Sequence, residues 1–110
     1  MRAVRVHTYR EPPRIDELPP PGSPALGHLS VEVAAVGAGS WDVGVAAGRL
    51  KRFVVLEPPF VMGAELAGRV AAVGPDVEGF MVGDRIIANP GIIGAWAEHA
   101  NIRAATCGPA

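Results

Sequence analysis

This chain has one cysteine, Cys107, so it has no internal disulfide and no pair of thiolates for a structural zinc lobe. A lone thiol fits a reducing compartment, and the expectation is cytoplasmic. Ten Lys and Arg balance eleven Asp and Glu, for a formal charge of −1. They are scattered without a run of one sign, which argues against partners such as nucleic acid or a membrane surface. No apolar run approaches the roughly 18 residues that cross a bilayer, and "MRAVRVHTYREPP" has no apolar core before its charges return. The reading is a soluble chain without a targeting segment.

What the chain has in excess is glycine and proline, 14 and 11 respectively among 110 residues, on a 49% apolar background. So many turn formers with that much core material predict a compact β-rich domain of many short strands. The length suits one domain, 1–110, with one core.

"RAVRVH" and "LSVEVAAV" alternate with period two, which predicts two strands, each with one wet face. The prolines at 12, 13, 19, 20, 21 and 24 forbid a helix between them and confine any short strand near Ile15–Leu18 to an edge. "SWDVGVAAGRLKR" opens on the capping residue Ser40, but Gly44 and Gly48 each weaken a helix by about 1 kcal/mol, so a short, imperfect helix is expected. "ELAGRVAAVG", "RIIANPG" and "GAWAEHANI" are strand-length pieces separated by turn residues, which leaves no room for a βαβ array.

"VAAVGAGSWD" superficially matches a dinucleotide-binding turn, a strand followed by Gly37 and Gly39 and then a helix-like stretch. The match fails on chemistry. Asp42 occupies the third glycine position, where its charge would repel phosphates, the preceding strand alternates with polar residues, and no second βα unit follows. Turn formation is the better account of both glycines.

Three pieces in order, "EVAAVGAGSWDVGVAAG", "PPFVMGAELAGRVAAVGPDVEGFMVGDRIIA" and "GAWAEHANI", resemble the N-terminal catalytic domain of the medium-chain dehydrogenase/reductase superfamily. Gly63, Glu65, Gly68, Gly74, Gly83, Asp84 and Arg85 match that family's central motif, with Ala64 in place of its histidine. The resemblance implies a mainly β fold, a GroES-like partly open β-barrel with one or two short helices. Gly68 and Gly74 suit tight bends or close backbone approach.

In zinc-dependent relatives a Cys and the His of Gly-His-Glu hold the catalytic metal, and those positions here are Gly39 and Ala64. Zinc needs lone-pair side chains, which neither residue has, and His7, His28 and His99 show no ligand spacing. The expectation is no zinc and no other metal. Trp41 stands where those relatives place a hydroxyl proton relay, and Gly39 where many zinc-independent members place an Asn.

What remains resembles the zinc-independent branch, quinone oxidoreductases and enone or enoyl reductases. The resemblance implies NADP as cofactor and a quinone or conjugated carbonyl compound as substrate. Ser40 and Asp42 are the catalytic candidates, Trp41, Phe60 and Trp96 are expected to line the substrate cleft, and Gly39 and Ser40 are candidates for cofactor contact. Core packing is an equally good account of both tryptophans. Glu65 is expected to be a buried carboxylate that holds the cleft wall through backbone or Arg contacts.

The family's Rossmann domain, which seats the nucleotide, is expected to be absent from these residues, so catalysis would need it in cis or in trans. Bare apolar surface would then favour such a partner or a homo-oligomer. The alternative is a non-catalytic binding domain that kept the barrel and lost the chemistry.

Overall fold

The computed structural model describes residues 1–53 and 55–110. Among them the order is β1 Arg2–Val6, β2 Arg14–Glu17, β3 His28–Val36, α1 Ser40–Ala46, β4 Phe60–Val61, β5 Leu66–Val73, β6 Arg85–Ala88, β7 His99–Arg103, a 3-10 turn Ala104–Thr106, and β8 Cys107–Pro109. The fold is mainly β with a single short helix. Strands run β2-β1-β4 in one sheet and β7-β3-β5-β6-β8 in the other, and every pair is antiparallel. None of the described strands is parallel, as a βαβ unit would require.

The segment before β7 joins the sheets. The Val4 N–H donates to the Trp96 carbonyl at 2.9 Å, that of Glu98 to Arg2 at 3.1 Å, and that of Val33 to Glu98 at 2.9 Å. One core gathers Leu29, Val31, Val70 and Ile86, and the other gathers Val6, Val45, Phe60 and Met62. Trp96 packs against both.

The burial of β1 corrects one expectation. β1 buries Ala3 and Val6, which have opposite parity, so both of its faces are covered. By contrast β3 keeps its alternation at Leu29 and Val31 across one register shift, passes a second between Val33 and Ala35, and leaves Ala34–Val36 exposed at the rim. β2 is the expected edge strand after Pro12 and Pro13.

Gly68 and Gly74 are sites of close backbone approach. A Cβ on Gly68 would lie 2.2 Å from the Glu32 carbonyl oxygen on β3, and one on Gly74 would lie 2.2 Å from that of Ala25. In the turn before β6, the Asp84 carboxylate accepts the Met81 N–H at 2.9 Å. The proline-rich loop is tied down by Asn101, whose amide donates to the Gly22 carbonyl at 2.9 Å.

Candidate active-site cleft

β3 ends at Val36, and the chain turns through Gly37–Gly39 into α1. Gly39 is the residue before the first turn of that helix, and its N–H donates to Asp42 Oδ2 at 2.9 Å. Asp42 thus closes the helix start onto itself, so the carboxylate occupies the place where a phosphate-binding turn keeps free N–H groups. Together with the antiparallel neighbours of β3, this makes "GAGSWD" a capped turn.

A cavity of about 480 Å³ opens over this turn, lined by Gly39, Ser40, Trp41, Asp42, Ala64 and Glu65, with Asn89 beyond them. A second, of about 670 Å³, lies on the other side and is walled by Val43, Ala46, Met62 and Trp96, with Arg10 from the β1–β2 loop. Ala38, Gly39 and Asp42 line both, so the helix start is the partition between them.

The fold brings together the two positions that carry metal ligands in the family pattern, Gly39 and Ala64, on one cavity wall. Neither offers a lone pair. Among the described residues, no group of three His, Cys, Asp or Glu is placed to hold an ion. The histidines lie elsewhere: His7 pairs with Asp16 and His28 Nδ1 with the Leu26 carbonyl oxygen, while His99 is exposed on β7. The donor set does not fit zinc.

Trp41 is 45% exposed, with its indole N–H 3.4 Å from the Ile92 carbonyl oxygen. Ser40 is also exposed, at the mouth of the smaller cavity. Trp96 lines the larger one and donates to the Gly37 carbonyl oxygen at 2.9 Å. Phe60, expected in the cleft, is instead buried in the core of Val6, Val45 and Met62 and tilted against the Tyr9 ring at 6.0 Å. Pairing of β4 with β1 turns it inward.

Of the two acids, Glu65 departs from the burial expected of it. Glu65 is exposed and its carboxylate has no hydrogen-bond or ionic partner among the described residues; its side chain lies along Gly37, whose own missing Cβ leaves it room. Asp42 is the buried acid, 7% exposed, and its Oδ1 is enclosed without a partner. A buried carboxylate oxygen without a donor is costly, so this atom is the most polar unmet demand in the cleft.

Sequence reasoning missed Asn89, Met62 and Arg10. Asn89 follows β6 in "ANPG", where its side chain accepts the Gly91 N–H at 3.2 Å, and that cluster of turn formers was the available signal. Met62 and Arg10 had none, because only the packing of α1 against the β1–β2 loop exposes them to a common cavity.

The family described as alcohol dehydrogenase GroES-like domain matches residues 25–110. Sorbitol dehydrogenase of Bacillus subtilis is 40% identical over 95 residues, 84% of this chain and 26% of that protein. A 2-haloacrylate reductase of Burkholderia sp is 38% identical over 78 residues, 71% of this chain and 23% of that protein. Quinone oxidoreductase of Escherichia coli, solved in complex with NADPH, superposes with a TM-score of 0.88 at 26% identity, covering 99% of this chain and 33% of that one. The chain therefore spans about a quarter to a third of the length of these relatives. Among its described residues no helix is long and apolar enough to cross a membrane. With the central glycine motif, the two-sheet fold and the family match in agreement, the chain belongs to the alcohol dehydrogenase GroES-like domain family of the medium-chain dehydrogenase/reductase superfamily.

Proposed function

We propose that this domain forms the substrate side of a cytoplasmic, zinc-independent, NAD(P)H-dependent oxidoreductase of the quinone, enone or enoyl reductase type. The observation that carries the reading is the meeting of Gly39 and Ala64 on one cavity wall, where neither of the two family ligand positions has a side chain with a lone pair. Reduction of a conjugated carbonyl compound needs an apolar slot, donors for the carbonyl oxygen and a proton source, with no obligatory metal.

The nicotinamide coenzyme supplies the hydride when bound. The described residues, all antiparallel in their sheets, build no βαβ seat for it, so the nucleotide would be held by a Rossmann domain in cis or in trans. This chain's share is the wall. Met62, Val43 and Trp96 line the apolar slot, and the exposed Ser40 hydroxyl is the donor placed at the neighbouring mouth. Asp42 fixes the helix start that carries Ser40, which makes it a positioning residue in this scheme.

Oxidation of NADPH in the presence of quinones and enones, by this chain alone and joined to a dinucleotide-binding domain, tests the proposal. Turnover by the joined protein alone is expected, and no turnover in either form would overturn it. A non-catalytic binding domain is the second reading. It is favoured by Gly39, which brings no side chain to the place where many zinc-independent members have an Asn.

A further inference from the structure

A third concavity of about 580 Å³ lies outside the cleft, between the β1–β2 loop and the turn after α1, and is lined by His7, Thr8, Tyr9, Arg10, Lys51 and Pro58. It contains three groups that can carry positive charge and no carboxylate. Among the described residues neither Arg10 nor Lys51 has an acidic partner. His7 is held through Nε2 by Asp16, whose charge is shared with Arg5 at 2.7 Å, so Asp16 is already matched. Glu11 follows Arg10 in sequence but lines the apolar cavity instead.

The Lys51 ammonium and the Arg10 backbone are also held in place. Lys51 Nζ stands 4.4 Å from the centroid of the Tyr9 ring, an attraction of cation to π-face. Gly48, at φ +77, makes room for this stack: a Cβ there would lie 3.2 Å from Lys51 Cε and 3.3 Å from the Tyr9 ring. The Tyr9 hydroxyl donates to the Leu56 carbonyl at 2.9 Å, which anchors the ring at its far end. Arg10 adopts the left-handed conformation, φ 69, rare for a side chain of its size, and its N–H donates to the Ala46 carbonyl of α1 at 2.9 Å.

We propose that this concavity binds a phosphate group, with Arg10 and Lys51 as the charged donors and the Thr8 hydroxyl beside them. A guanidinium fork, an ammonium and a hydroxyl match the several oxygens and double charge of phosphate better than they match a carboxylate. A concave wall of one sign also concentrates such anions. Arg10 lines both this site and the cavity of Met62 and Trp96, so a phosphate ester seated here directs its apolar part toward that cavity. The site stands on its own geometry, whether or not the cleft passes hydride.

Titration of the 110-residue chain with inorganic phosphate at constant ionic strength, followed by amide chemical shifts, tests it without coenzyme. Saturable shifts clustered at residues 7–10 and 51 are expected, with acetate and chloride much weaker. Arg10→Gln and Lys51→Gln should each weaken phosphate binding about tenfold while the amide spectrum remains that of the folded parent. Phosphatidylcholine vesicles with and without phosphatidic acid form a second arm. Sedimentation that needs both the acidic lipid and Arg10 identifies a headgroup as the source of the phosphate, whereas binding of free phosphate alone identifies a soluble ester. Phosphate shifts no stronger than those of chloride, with no vesicle binding, or variants that bind phosphate as tightly as the parent, would overturn the site.

Discussion

The indole of Trp96 sits directly on Gly63: a Cβ at that glycine would lie 2.2 Å from Trp96 Cδ1. The same indole donates to the Gly37 carbonyl at 2.9 Å, so one side chain clamps the start of the motif segment to the rim of β3. Trp96 is a structural member of the cleft wall as well as a lining residue.

Gly63→Ala follows from that contact. The position also has φ +101, so the substitution adds backbone strain to an overlap with a ring that packs on both cores. The expected loss is about 3 kcal/mol or more in a urea melt. Trp96→Phe, which keeps a ring and deletes the donor, should cost about 1 kcal/mol.

Asp42 separates capping from charge. Asp42→Ala removes the acceptor of the Gly39 N–H and should cost about 1 kcal/mol. Asp42→Asn keeps an acceptor and discharges the enclosed, unpartnered oxygen, so its melting temperature should fall less than that of the alanine variant.

Glu65→Gln should leave stability within about 0.5 kcal/mol of the parent, because the carboxylate is exposed and unpaired among the described residues. A large fall in the melting temperature would show that this acid holds the wall after all.

Stability on the acid side should depend on Asp16. Hydrogen bonds from Arg5 and His7 hold its carboxyl below its ordinary 3.8. A carboxylate whose acidity is enhanced in the folded state stabilises it above the unfolded value, and that contribution fades as pH falls through the lower folded value. Asp16→Asn should flatten the acid limb of a melting temperature against pH profile, while the two curves run parallel near neutrality.

The glycines made most of this fold legible. Gly68 and Gly74 are where backbones touch, and the alternation of β3 marks its buried face as far as Val31. The proline pattern likewise places β2 at an edge. Two features were not legible because they depend on long-range contacts. β1 buries residues on both faces while residues 95–98 return to pair with its edge, and β8, a short piece with Gly108 and Pro109, is a strand only because β6 offers it an edge.

The cleft was legible in part. Gly39, Ser40, Trp41 and Asp42 came with Ala64 to one wall, as their family positions imply. The two acids were not legible, because sequence neighbours do not report burial. Glu65 stands among small residues yet faces out, while Asp42 lies on a helix turn whose inner face is covered.

On the proposed reading, this cleft works without a metal. The direct measurement is NADPH oxidation by a quinone, catalysed by the polypeptide that joins this domain to a dinucleotide-binding domain, before and after exhaustive chelation. An unchanged rate is predicted. A rate lost on chelation and restored by zinc would contradict it.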